Sequence, residues 1–187
     1  MTRIAIAQTW NGLPAAQGES VKLELNVVEE RLVVRVDAPW HGDRPPPTAA
    51  GRCDGLWEYE VVELFLLGER ERYLELELGP AGHYLALALE GRRQRVRGDV
   101  PVDVHCERRS ERWHAEASLS CRELPPGLHA FNAYAIHGTG PARRYLAYHP
   151  LPGARPDFHQ LERFPPLPES LGLLIGGRHG ASGAPGI

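Results

Sequence analysis

Lysine is nearly missing from this sequence. Of its 21 basic residues only Lys22 is a lysine, and the formal net charge is −3. A nucleic-acid-binding domain normally carries a strongly basic patch, so a nucleic-acid partner is not expected. Cysteine is scarce too: Cys53, Cys106 and Cys121 are odd in number, far apart, and include no C-x-x-C pair. That excludes a disulfide framework and a cysteine zinc site, and fits a reducing compartment. No apolar run approaches the roughly 18 residues of a membrane helix. The opening MTRIAIAQTW has no secretory apolar core, so the expected location is the cytoplasm, away from membranes. G-x-S-x-G, G-x-G-x-x-G and the Walker loop are all missing, which removes the α/β-hydrolase elbow and the common nucleotide sites. No helical stripe of ten or more residues appears, and no signal bears on the oligomeric state.

What is present is alternation. Short runs rich in Val, Leu and Tyr recur between Gly/Pro breaks, and they predict strands over 21–26, 31–36, 59–67, 73–78, 83–90, 113–119, 130–136 and 144–148. A single helical turn is expected over 120–124, stopped by Pro125 and Pro126. The predicted architecture is all-β: a two-sheet antiparallel β-sandwich of jelly-roll type spanning 1–170. The Gly-rich segment 171–187 is expected to be a flexible tail. Two long connections stand out. Loop 38–55 contains WHGDRPPP, stiffened by three successive prolines, and the proline-rich 150–168 is expected to wrap the sandwich without joining a sheet.

The clearest unit is YLELELGPAGHYLALALE. With a four-residue hairpin loop at 79–82, Leu78 faces His83 and Glu77 faces Tyr84. Leu74, Leu76, Leu85, Leu87 and Leu89 then share the core face. Tyr73, Glu75, Glu77, Tyr84, Ala86 and Ala88 share an exposed one. Just upstream, WEYEVVELFLL places Glu60 and Glu63 three apart, on opposite faces of a regular strand. One of them must lie at a strand end, at a bulge, or in the core with a partner, because an unpaired buried charge costs several kcal/mol.

At these residues the chain resembles the DOMON-like superfamily that includes the family-nine carbohydrate-binding modules. The shared pattern is an acid, Val-Glu, an apolar strand, Tyr-x-Glu and Pro-x-Gly, here Glu60, Val62 and Glu63, Tyr73 and Glu75, Pro80 and Gly82. A longer likeness, through APWHGDRPPP, LWEYEVVELFL, EGRRQ, FNAYAIHG, YLAYHPLP and PDFHQLERF, is to a small family found in animals and bacteria; it brings a fold and no reaction. The resemblance implies a sugar-binding sandwich. Glu60 stands where sugar- and calcium-binding members carry Asp, which argues against an inherited calcium site. Haem-binding relatives use a Met ligand, and the only methionine here is Met1.

The leading function is therefore non-catalytic binding of a sugar or small polar metabolite. The expected site is the acidic, aromatic face of Glu75, Glu77 and Tyr84 with Trp57 at its edge, next to a loop rim of His137, Tyr145 and His149. Carboxylates accept bonds from sugar hydroxyls and rings stack on sugar faces. The plain alternative is the solvated face of an antiparallel sheet. No cofactor is expected. A metal ion remains an option where His137, His149 and His159 lie near Asp157, although their spacing does not force convergence. The rival from another class is an enzyme acting on a small sugar or metabolite through a His/Glu or metal-assisted centre. A carboxylate pair among Glu58, Glu60, Glu63, Glu75 and Glu77 is one form of it. The run EGRRQRVR reads either as a clamp for an anion or as a solvated strand end.

Overall fold

The computed structural model describes residues 1–176 of the chain. All eight predicted segments are strands, and five further strands join them. In chain order they are β1 Thr2–Ile6, β2 Gln8–Thr9, β3 Val21–Val28, β4 Arg31–Pro39, β5 Gly51–Arg52, β6 Val61–Leu67, β7 Arg72–Leu78, β8 His83–Glu90, β9 Arg95–Arg97, β10 Asp103–Arg109, β11 Arg112–Ser120, β12 Ala130–His137 and β13 Arg144–Ala147. The smaller sheet runs β1-β3-β4-β11-β10. The larger runs β2-β13-β12-β6-β7-β8-β5, with β9 beside β8. All pairs are antiparallel except the short β5–β8 pair. The expected turn near 120–124 is a 3-10 turn at Cys121–Glu123. A helix, α1 Glu169–Gly176, takes in the first residues of the expected tail and buries Leu171; the remainder, 177–187, lies outside the described residues.

The smaller sheet behaves as alternation predicts. Leu23, Leu25, Val34, Val36, Ala117 and Leu119 point inward. Its outer face is solvated and laced with ion pairs such as Arg3–Glu24 and Arg35–Glu116. The larger sheet is buried on both faces. Val62, Leu64, Leu66, Leu74, Leu76 and Leu78 fill the space between the sheets. Phe65, Tyr73, Leu85, Leu87, Leu89 and Tyr134 form a second apolar layer on the far side, covered by Leu151, Leu161 and Phe164. Segment 150–168 therefore wraps the sandwich over this particular face, but it does touch the sheet, since Pro166 forms an isolated antiparallel bridge with Ala130 on β12. Double burial is why VVELFLL reads as a continuous apolar run with no alternation.

The hairpin corrects the expected register. Gly79 N–H donates to the His83 carbonyl, so the loop is Pro80-Ala81-Gly82 with Gly82 in the left-handed region at φ +80°. A three-residue loop with Gly at the left-handed position is a standard hairpin closure. Leu78 thus pairs with Tyr84, Leu76 with Ala86 and Glu77 with Leu85. One residue of slip exchanges the faces of a whole strand. Leu85, Leu87 and Leu89 lie on the far side with Tyr73, Glu75 and Glu77, while Tyr84, Ala86 and Ala88 turn toward the space between the sheets.

Candidate functional site

The far side of the larger sheet carries three carboxyl groups on two adjacent strands. Glu63 on β6 sits opposite Glu77 on β7, with Glu75 two residues along the same face. They are 2%, 0% and 5% exposed for Glu63, Glu77 and Glu75, which corrects the expectation of an exposed acidic face. Among the described residues no N–H group reaches any of them. Glu77 keeps both oxygens without a hydrogen-bond partner, with the Glu75 carboxyl beside it on the same strand face. Burial is the main reason all three hold their protons. Burial pushes Glu75 up to about 7, moderated by the adjacent Glu77 carboxyl and then by the nearby Arg93 charge. Glu63 and Glu77 are pushed well above the carboxylate range by burial and then by their acidic neighbours. Glu75 and Glu77 titrate as a coupled pair.

Glu63 and Glu75 open into a cavity of about 700 Å³. Leu87, Leu89 and Ile136 continue its floor from β8 and β12. Trp57, on the 3-10 turn Leu56–Glu58 and 44% exposed, forms one lip with Tyr145 and Phe158 as walls. Phe158 stacks on Tyr134 at 3.8 Å, and the Tyr134 hydroxyl donates to its carbonyl, which fixes the wrapping segment in place. Next to it His159 is hydrogen-bonded through Nδ1 to the Tyr73 hydroxyl at 2.8 Å. Burial first, then the Arg93 charge, lowers His159 to about 4, so its ring is neutral.

Three arginines ring the opening, and each is engaged. Arg93 pairs with Asp157 at 2.9 Å and Arg95 with Asp54 at 3.1 Å. Arg143 donates to the carbonyls of Trp57, Glu58 and Gly138, which ties the Trp57 turn to the sheet. Part of the run EGRRQRVR is therefore rim of the cavity.

The other acid of the pair, Glu60, answers the question its spacing raised. It sits at the strand end and accepts from the backbone N–H groups of His41 and Asp43, pinning the WHGD segment. Asp43 in turn accepts from Gly138 N–H. The His41 ring stacks on His137 at 3.5 Å, and Glu19, clamped by Arg144 at 2.8 and 2.9 Å, lies 3.2 Å from His137 Nε2. Burial lowers both histidines, so this junction is a neutral stack that fixes a loop.

Of the expected site residues, Trp57, Glu75 and Tyr145 meet at the cavity, and Glu77 stands directly behind Glu75. Tyr84 does not join them, because the register turns it to the opposite face. His137 belongs to the Glu19 junction. His149 is exposed, and its backbone bonds the Asn132 side chain. His137, His149 and His159 occupy three separate places, and among the described residues no group of three or more His, Cys, Asp or Glu side chains is placed to hold a metal ion. Phe158, Arg143, Leu87, Leu89 and Ile136 were missed as lining residues. Phe158 and His159 had a signal in PDFHQLERF; the leucines were assigned to the wrong face.

No family model matches the chain. Among curated proteins it is 39% identical over 168 residues to the UPF0462 protein C4orf33 homolog of Danio rerio, covering 85% of each chain. It is 38% identical over 168 residues to the UPF0462 protein C4orf33 of Homo sapiens, covering 85% of this chain and 84% of that one. Among solved structures, a candidate carbohydrate-binding protein from Bacteroides uniformis superposes with a TM-score of 0.66 at 16% identity, over 88% of this chain and 84% of that one, which supports the sandwich fold. A family 9 carbohydrate-binding module from Caldicellulosiruptor kristjanssonii, in complex with cellotriose, reaches a TM-score of 0.47 over 72% of this chain and 67% of that one, too low to add to that assignment.

Proposed function

The chain belongs to the UPF0462 family, and within it we propose that this protein is a ligand-binding β-sandwich that holds a sugar or similar small polar molecule on the far side of its larger sheet. The observation that carries this reading is one cavity with carboxyl groups at its floor and aromatic rings at its walls. Its volume of about 700 Å³ falls within the range of small-molecule sites. Carboxyl oxygens accept from hydroxyls, Trp57 and Tyr145 offer ring faces, and the leucine floor packs against the apolar side of a sugar ring. Three cysteines, widely spaced and with no C-x-x-C pair, fit a reducing compartment, the cytoplasm being the proposed one.

Affinity is expected in the micromolar to millimolar range, about 4–8 kcal/mol, because the contacts are few and one lip is wet. The test is calorimetric titration of a saccharide panel into wild type and Trp57→Ala. At least one sugar should bind wild type and bind the variant about fivefold or more weakly, at unchanged circular dichroism, since Trp57 is only half-buried. Equal binding to both proteins would place the ligand elsewhere.

A second reading uses the same cavity for catalysis. Glu75, held near 7 at the cavity floor, is suited to act as a general acid or base. Turnover of a bound sugar by wild type and not by Glu75→Gln would select it over simple binding.

A further inference from the structure

The cavity floor presents buried carboxyl groups to which no N–H donor among the described residues is directed. Glu63 lines the cavity at 2% exposure, and no donor among the described residues reaches its carboxyl group. Glu75 lines it as well, and no N–H donor among the described residues reaches it either. The cations at the rim do not supply the missing donors, since Arg93 and Arg95 are paired with Asp157 and Asp54 and Arg143 is spent on backbone carbonyls. A neutral hydroxyl brings one O–H. A primary ammonium brings three N–H donors and a full charge, and such charge-assisted bonds are about twice as strong as neutral ones. The walls of Trp57, Tyr145 and Phe158 accept the C–H face of a ring and tolerate a cation.

We propose that the ligand of this cavity is an amino sugar, or a polyhydroxy amine of the same chemistry, whose ammonium group is received between Glu63 and Glu75. This rests on the binding reading given above and names its ligand class. In the empty site the floor stays neutral by keeping its protons. An entering ammonium favours the carboxylate form, so one or more protons leave to solvent as the cation binds. Besides Glu77, the titratable and charged groups around the floor are Arg93, Arg95, Arg143, Glu58, Tyr73, Tyr134, Tyr145, His159 and Cys53; the arginines favour ionisation, Glu58 works against it, and the neutral His159 adds no charge. Binding therefore strengthens as pH rises through the range in which Glu75 titrates, until the amine itself loses its proton.

The experiment is calorimetry on the whole protein with D-glucosamine, D-glucose, N-acetyl-D-glucosamine and D-glucuronate, each in two buffers of different ionisation enthalpy. Glucosamine should bind about tenfold or more tightly than the other three. Its observed enthalpy should shift with the buffer in the direction of proton release. Glu75→Gln, close in shape to the native side chain, should weaken glucosamine binding about tenfold or more and erase its preference over glucose. Equal affinities, or a preference for glucose, its N-acetyl amine or glucuronate, would overturn the ammonium site and leave the cavity as a sugar site. Binding of none of the four would overturn both. Proton release is read on the wild-type protein, so it holds whether or not the variant folds well.

Discussion

Replacing Glu75 with Gln should stabilise the fold relative to wild type by an amount that grows with pH, reaching about 3 kcal/mol more at pH 8 than at pH 4.5. Burial lifts the Glu75 carboxyl from 4.5 to about 7 in the folded protein. Between those values the folded state keeps a proton that the unfolded chain has released. Its contribution is fully present below 4.5 and is lost as pH rises through 7. At 1.36 kcal/mol per unit, the shift amounts to about 3 kcal/mol. His159 has the opposite sign. Its folded value of about 4 lies below the ordinary 6.5, so its contribution is present above 6.5 and lost as pH falls toward 4. In wild type alone the two trends offset one another between 4.5 and 6.5, which is why the difference between variant and wild type is the quantity to follow. Urea unfolding of both proteins at several pH values gives it directly. A difference that does not change with pH would show that Glu75 is not a buried acid.

The second large effect concerns the space between the sheets. Trp113 on β11 is 1% exposed and is the bulkiest fully buried side chain among the described residues. It belongs to the apolar core between the two sheets, so its truncation leaves a large cavity there. Trp113→Ala should cost about 3–5 kcal/mol, the range for removing a large aromatic from a packed core. Against a typical total stability of 5–15 kcal/mol, that removes much of the protein's margin. A drop in urea midpoint corresponding to less than about 1 kcal/mol would mean that the two sheets are not packed through this ring.

The fold was legible where one face of a strand is wet. VKLELNVV and RWHAEASLS alternate because their outer residues meet water, and both strands were found from that pattern. The missed β10, DVHCERR, is an edge strand with little apolar content, so nothing in its composition distinguishes it from a loop. The site was half legible. Trp57, Glu75, Glu77 and Tyr145 were named from residue chemistry, and three of the four line the cavity. Tyr84 was lost to one residue of hairpin length, because GPAG closes as a three-residue loop once Gly82 adopts a positive φ. The burial of the acids was hidden for a different reason. Leu85, Leu87 and Leu89 alternate with small residues in either register, so β8 does not reveal which face is covered. Only the placement of Leu151, Phe158, Leu161 and Phe164 over that face settles it, and such a long-range contact leaves no periodic trace in the sequence. The histidines illustrate the converse: His137, His149 and His159 fall in motifs close together in the chain, yet strand alternation and an intervening loop send them to three different places.

Backbone and indole amide shifts followed by nuclear magnetic resonance during titration with the best-binding saccharide test the location of the site most directly. The cavity predicts saturable shifts concentrated at the Trp57 indole, at Leu87 and Leu89 on β8, at Ile136 on β12 and at Phe158 and His159 on the wrapping segment. Shifts confined to the solvated outer face of the smaller sheet, around Arg35, Asp37, His105 and His114, would contradict it and move the ligand to the other side of the molecule.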